Sequence, residues 1–352
     1  MMRDGEFTQE SFDKIFKNVY EDFITKAKPT DNPQAFILGG QPGAGKTGLQ
    51  EIMSAKVNGN LIVINGDEFR SLHPDFEYLQ TKYGKDSVDY TGAFSGKITE
   101  NLIKKLKEEK YNVLVEGTLR TAQVPLKTCD DFKKSGYDVT LAVIAVKPQI
   151  SYISTMFRYE KMLEQEKTPR ATSKKNHDFV VERIPENMKE IYESQKFNNI
   201  LIYNREGECL YDMSKRMATT PYDVIDKALN GQWSKQELEQ FIQIGSITQQ
   251  LMKKRNAEEL PDFINNVFNK RIIENIKQQH HLSAKQTEAP SSTNKPDLYY
   301  LEITSPEQLK SLEKSGIAYK VNPQKTIAAV AKVDKEKALE CISKLDKPKL
   351  KR

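Results

Sequence analysis

Five short apolar runs, each ending in a polar or glycine-containing turn, constrain this chain more than any other feature: AFILGG (35–40), LIVING (61–66), NVLVEG (112–117), VTLAVIAV (139–146) and NILIYN (199–204). They are continuous rather than alternating, so strands formed from them must be covered on both faces. The stretches between them carry helical spacing. In SGKITENLIKKLKEEK, for example, Ile98, Leu102, Ile103 and Leu106 fall on one side. Such alternation predicts an α/β fold: a parallel sheet of the P-loop NTPase type with helices on both faces. A first helix is expected over residues 7–28, where Phe12, Ile15, Phe16, Val19, Tyr20 and Phe23 form an apolar stripe. In open parallel sheets ligands sit beyond the carboxyl ends of the strands, so the residues just after each run are where chemistry is sought.

After the first run, Gly40, Gln41, Pro42, Gly43, Ala44, Gly45, Lys46 and Thr47 match the spacing G-x-x-x-x-G-K-[ST] of a phosphate-binding loop. Glycines let successive backbone N–H groups turn toward phosphates, and the following helix adds the positive end of its dipole. Lys46 is expected to reach the β- and γ-phosphates and Thr47 to bind Mg2+ through its hydroxyl, so the cofactors are ATP and Mg2+. Gly48 costs up to about 1 kcal/mol relative to Ala so early in a helix, for which close packing is the expected reason. Nucleoside triphosphate binding follows, but the phosphoryl acceptor does not. A nucleotide switch, an ATP-driven machine and a small-molecule kinase can all begin this way.

The later strand ends carry the candidates that choose among them. Asp67 and Arg70 lie just past the second run. Asp67 can hold Mg2+ through water, take a proton from an acceptor hydroxyl, or simply cap a helix, since Gly-Asp often opens one. Past the third run, Glu116, Thr118 and Arg120 place a carboxylate, a hydroxyl and a guanidinium within five residues, a grip suited to a polar, hydroxylated acceptor. Sensor and arginine-finger elements of a large ATP-driven machine are not evident. Arg158 falls in a helical stretch and Arg170 follows Pro169; arginines from a flap can neutralise the charge that spreads over a transferring phosphoryl group. The acceptor stays open at this point: a small molecule, a nucleic-acid end or an antibiotic hydroxyl. A non-catalytic, nucleotide-gated binding module remains the alternative of a different class.

Beyond residue 233 the pattern changes. WSKQELEQFIQIGSITQQLMKKRNAEEL and PDFINNVFNKRIIENIKQQ read as two helices, making residues 234–285 a helical extension. Residues 286–297 have linker composition, and residues 298–352 are expected to form a small βαββα appendage. The net charge of +5, from 54 basic and 49 acidic residues, is too balanced for a dedicated nucleic-acid binder. The three cysteines (Cys129, Cys209, Cys341) are too sparse for a disulfide framework, and the N-terminal MMRDGEFTQE is not a secretory leader. No apolar run approaches the roughly 20 residues needed to span a bilayer. A cytoplasmic location and no membrane association are expected.

Taken together, GGQPGAGKT, INGDEFRSLHPDF, VEGTLR, VTLAVIAVKPQISYISTMFRYE and PRAT resemble, in order, the zeta toxin family of bacterial toxin–antitoxin systems, over residues 1–233. The resemblance implies an ATP-dependent kinase that phosphorylates the 3′-hydroxyl of the amino sugar of UDP-N-acetylglucosamine, poisoning cell-wall precursor synthesis. It implies Asp67 as general base, with Lys46, Arg158 and Arg170 as the phosphate-stabilising cations. It also implies Glu100, Glu116, Thr118, Arg120 and Thr128 around the sugar nucleotide. Glu100 enters by resemblance alone, because its helix position, roughly opposite Ile98 and Leu102, reads as exposed. A small helical antitoxin covering the first helix and blocking ATP is the implied partner. Ser173 stands where the family often has proline, which suggests a looser lid.

Overall fold

A computed structural model describes residues 3–165, 171–286, 298–302, 305–317, 319–321, 327–331, 337–338 and 340. The chain divides into two compact units between Lys285 and Gln286.

In the first unit the elements run α1 (Gln9–Ile24), β1 (Gln34–Gly39), α2 (Lys46–Lys56), β2 (Ile62–Ile64), α3 (Phe76–Tyr83), α4 (Ser87–Glu108), β3 (Val113–Glu116) and α5 (Gln123–Lys133). They continue as β4 (Asp138–Ile144), α6 (Pro148–Glu164), α7 (Lys174–Glu193), β5 (Asn199–Tyr203), β6 (Cys209–Asp212), α8 (Pro221–Asn230), α9 (Lys235–Lys254), α10 (Leu260–Asp262) and α11 (Lys270–Gln286). The five apolar runs form the parallel strands β1 to β5, in the order β2-β3-β1-β4-β5. β6 adds an antiparallel edge that the sequence pattern did not reveal. Only one of its four residues is buried, so it carries none of the continuous apolar signal of the central strands.

Successive strand residues feed two cores. Ala35, Ile37, Val113, Val139, Leu141 and Ile202 pack with Phe12 of α1, Phe94 and Ile98 of α4, Phe132 of α5, Ile184 of α7 and Ile225 of α8. Their neighbours Phe36, Leu38, Leu114, Ala142, Ile144 and Leu201 pack on the other face with Leu49 of α2, Ile153 of α6 and Phe241 of α9. This double burial is why the runs lack alternation. Residues 234–285 share the second core: Leu238, Met252, Phe263, Phe268 and Ile276 all belong to it.

The stretch PDFINNVFNKRIIENIKQQ, read above as one helix, is broken. α10 passes into a π-helical turn, Phe263–Val267, and α11 begins only at Lys270. Phe268 leaves the helix to pack edge-on against Phe241 at 5.7 Å, over Gly245, where a β-carbon would lie 2.3 Å from its ring. Asn269 then starts the next helix, accepting the Ile272 N–H at 2.9 Å. Gly48 is a second departure: a β-carbon there would meet nothing within 4 Å, so close packing does not account for it.

The second unit contains β7 (Leu298–Glu302), α12 (Pro306–Lys314), β8 (Tyr319–Val321) and β9 (Ile327–Ala331), an antiparallel sheet ordered β7-β9-β8. Ser305 and Gln308 form a capping box at the start of α12, and Pro306 occupies its first turn. The second helix expected here falls mostly outside the described residues, as do all of the linker but Gln286, and Cys341.

Candidate active site

The glycine loop, residues 40–47, joins β1 to α2 at the carboxyl edge of the sheet. Gly43 (φ +78°) and Gly45 (φ +100°) hold left-handed conformations that side-chain-bearing residues rarely adopt. A β-carbon on Gly43 would also lie 2.0 Å from the Ser151 carbonyl oxygen, so α6 forms the bed of the loop. Gln41 is buried and donates to the Val146 carbonyl, while Ala44 is buried in the second core and its N–H closes a turn on the Gln41 carbonyl. Their side chains therefore fix the loop's shape. Pro42 and Lys46 face an open cleft, and Thr47 is exposed in the first turn of α2. Lys46 is half-buried, with Nζ donating to the Gly40 carbonyl at 3.3 Å. Desolvation lowers its pKa; Glu116 opposes that shift, Arg158 adds to it and Asp67 opposes it. A loop of turned glycines ending in a desolvated cation at a helix N-terminus fits a triphosphate.

The cleft in front of the loop has a volume of about 510 Å3, and it gathers residues from six separate segments. Lys46, Asp67, Glu100, Glu116, Thr118 and Arg158 all line it. Asp67 sits on a 3-10 turn, Gly66–Leu72, that follows β2. The cap of that turn is Asn65, whose side chain accepts the Asp67 N–H, so Asp67 is not the capping residue. Its carboxylate keeps 62% of its side-chain surface and accepts from Arg70 Nε at 2.9 Å. Arg70 is itself anchored on α4, donating to the Val88 carbonyl at 2.6 Å and the Thr91 hydroxyl at 3.4 Å. Glu116, at the end of β3, accepts from Gln50 of α2, which ties this side of the cleft to the helix behind the loop. Glu100 is exposed, as its helix position indicates, but the space it is exposed to is the cleft.

Arg120 and Thr128 do not reach this cleft. They line a neighbouring groove that shares Glu116, Gly117 and Thr118 with it and is otherwise largely apolar, with Leu119, Val124 and Pro125. Arg120 stacks 5.1 Å over the ring of Phe179 on α7, and the Thr128 hydroxyl donates back to the Val124 carbonyl at 2.9 Å. Arg170 lies outside the described residues. Ser173 caps α7, accepting the Asn176 N–H at 3.2 Å.

Two features escaped the sequence reading. Arg205, just past β5, lies alongside the glycine loop and donates to the Ser154 hydroxyl at 2.7 Å and the Gly43 carbonyl at 3.5 Å. Burial lowers its pKa, opposed by Glu206. Its position beyond a strand end was the available signal. Beneath the loop, buried His177 links Ser151 (2.8 Å) to Asp178 (3.0 Å). The order resembles a hydrolytic relay, but Ser151 has no exposed surface, and the chain of bonds serves to lock α6 to α7.

Parallel strands flanked by helices, a phosphate loop after β1 and a carboxylate-bearing cleft beside it are the fold and site of a P-loop kinase. The chain belongs to the zeta toxin family, whose model matches residues 18–216. It is 43% identical to Toxin PezT of Streptococcus pneumoniae over 241 residues, 68% of this chain and 94% of that protein. With Toxin zeta of Streptococcus pyogenes the identity is 36% over 258 residues, 73% of this chain and 89% of the relative. A solved structure from the PezAT chromosomal toxin–antitoxin system of S. pneumoniae superposes with a TM-score of 0.66 at 39% identity, covering 72% of this chain and 100% of that one. The AvrRxo1-ORF1:-ORF2 complex superposes with a TM-score of 0.51 at 14% identity, covering 72% of this chain and 86% of that one, and shares the fold alone. Among the described residues no helix is long and apolar enough to cross a membrane.

Proposed function

We propose that the protein is the toxin of a toxin–antitoxin pair and acts as an ATP-dependent kinase on the amino-sugar 3′-hydroxyl of UDP-N-acetylglucosamine. The observation that carries this reading is the shared cleft: Lys46, next to the triphosphate cradle, and Asp67, past the second apolar run, face one cavity of about 510 Å3. ATP, held by the loop of residues 40–47 with Mg2+ at the Thr47 hydroxyl, supplies the phosphoryl group. Among the described residues no group of three or more His, Cys, Asp or Glu side chains is arranged to hold a metal. The Mg2+ would be held at the Thr47 hydroxyl and would offset charge on the phosphates.

Asp67 accepts the proton of the attacking hydroxyl, kept in place by Arg70. Lys46 and Arg158, joined by Arg170 in this reading, neutralise charge on the transferring group. Glu100, Glu116 and Thr118 hold the amino sugar through hydrogen bonds to its hydroxyl and amide groups. The adjoining groove, with Arg120 and Thr128, takes the rest of the sugar nucleotide. The PezAT relative supports an antitoxin as partner; in this reading the antitoxin is a small helical protein seated over α1 so that ATP is excluded, and the substrate's chemistry supports action in the cytoplasm.

Mass spectrometry of the protein incubated with ATP, Mg2+ and UDP-N-acetylglucosamine tests the assignment. A sugar nucleotide carrying one additional phosphoryl group is the expected product. Transfer only to a nucleic-acid end or an antibiotic hydroxyl in a parallel panel would reassign the acceptor. Nucleotide binding without any transfer would make the protein a binding module.

A further inference from the structure

Helix α6 carries Arg158 toward the cleft, and what holds α6 in place is on its other side. Glu160 follows Arg158 by two positions, about 200° around the helix. It is 3% exposed, and a carboxylate so deeply buried must be paired. Arg255, the residue that ends α9, pairs it through a two-pronged grip: Nε and Nη2 each donate to one carboxylate oxygen at 2.8 Å. Glu259 accepts from the same guanidinium at 3.2 Å, and Lys254 bonds Glu164 one turn further along α6 at 3.1 Å. The pair borders a cavity that Thr155 and Met156 of α6 share with Met252 of α9 and with Thr172, which also lines the cleft.

A planar fork gripping a carboxylate fixes both angle and distance, which a single ammonium contact does not. We propose that Arg255 is a positioning residue for phosphoryl transfer. Its clamp on Glu160 sets the rotation and axial position of α6, and through them the reach of Arg158 over the cleft. Residues 234–285 thereby become part of the kinase machinery rather than an accessory to it. The inference rests on the kinase reading above and goes beyond it by assigning a transfer role to a residue that does not line the cleft.

The test compares wild type, Arg255→Met, Arg255→Lys and the double variant Glu160→Leu/Arg255→Met. For each, kcat and KM for ATP and for UDP-N-acetylglucosamine are measured with equilibrium ATP affinity and Tm. Arg255→Met is expected to lower kcat by roughly 10- to 100-fold, the scale of a displacement of about 1 Å in a catalytic group. The KM for ATP should stay within about twofold. Arg255→Lys should recover part of kcat, having the charge without the fork. The double variant removes the unpaired buried carboxylate, so its Tm should recover while kcat stays as low as in Arg255→Met. If kcat instead returns with Tm, or if Arg255→Met turns over like wild type, the positioning role is overturned. A wild type that transfers phosphate to no acceptor overturns the kinase reading and this inference together.

Discussion

On the floor of the cleft, Gly43 rests against the Ser151 carbonyl, Gln41 is pinned to Val146, and Lys46 is half-buried and desolvated. On the opposite wall, Asp67 keeps 62% of its side-chain surface and forms an ion pair with Arg70. The floor is tied into the second hydrophobic core through Ala44 and Leu49, so its shape is set when the protein folds. The wall stands on a short 3-10 turn hung from the edge strand β2. In the kinase reading proposed above, the contrast separates two tasks. Holding a triphosphate needs a preformed cradle, whereas deprotonating an incoming hydroxyl needs an accessible carboxylate backed by one fixed cation. Damage to the floor should therefore be felt in folding and ATP binding, and damage to the wall in transfer alone.

The largest expected effect comes from breaking the floor. Gly43→Ala places a methyl group against a backbone carbonyl in a left-handed conformation, which should cost roughly 2–4 kcal/mol of stability. Urea unfolding and ATP titration should both register it. A protein that tolerates this change in both assays has a looser floor than the packing indicates.

A smaller effect concerns pH. Burial depresses the Lys46 pKa, so its charge is lost at lower pH than that of free lysine, whose value is about 10.4. kcat/KM for ATP, which reports the free enzyme, should fall on an alkaline limb below that value, and Lys46→Arg should move the limb upward. Stability runs the other way. The folded state holds this proton less tightly than the unfolded state, so stability rises with pH between the folded and unfolded values. A limb insensitive to Lys46→Arg would assign it to another group.

The adjoining groove sharpens the contrast further. Arg120→Ala should raise the KM for the sugar nucleotide by roughly tenfold and leave that for ATP unchanged. Thr128→Val should change it by about twofold at most, since the hydroxyl already serves the Val124 carbonyl. Equal effects on both KM values would place the groove on the nucleotide side instead.

Much of this architecture was legible because the central strands are buried on both faces, which leaves unbroken apolar runs that turn chemistry closes off. β6 was not legible, since an edge strand with a single buried residue carries no such signal. Nor was the break before α11, which exists because Phe268 finds a partner in Phe241, a tertiary contact invisible to helical spacing. In the site, the glycine loop is local in sequence and could be read directly. The cleft is assembled from the ends of β2 and β3 and from α4 and α6, so no spacing announces it. Glu100 illustrates the limit: periodicity indicates that it is exposed, but not that it faces a cavity. Ser173 shows the converse: read only as a departure from the family pattern, its hydroxyl caps α7.

The division of tasks is decided by measuring ATP affinity and phosphoryl transfer on the same preparation of Asp67→Asn. Affinity should stay within about twofold of wild type and Tm should hardly move, because an exposed carboxylate is replaced by its neutral isostere. Transfer to UDP-N-acetylglucosamine should fall by roughly 100- to 10,000-fold, the range of a lost general base. Undiminished transfer, or transfer and ATP affinity falling together, would contradict the assignment of proton removal to this wall.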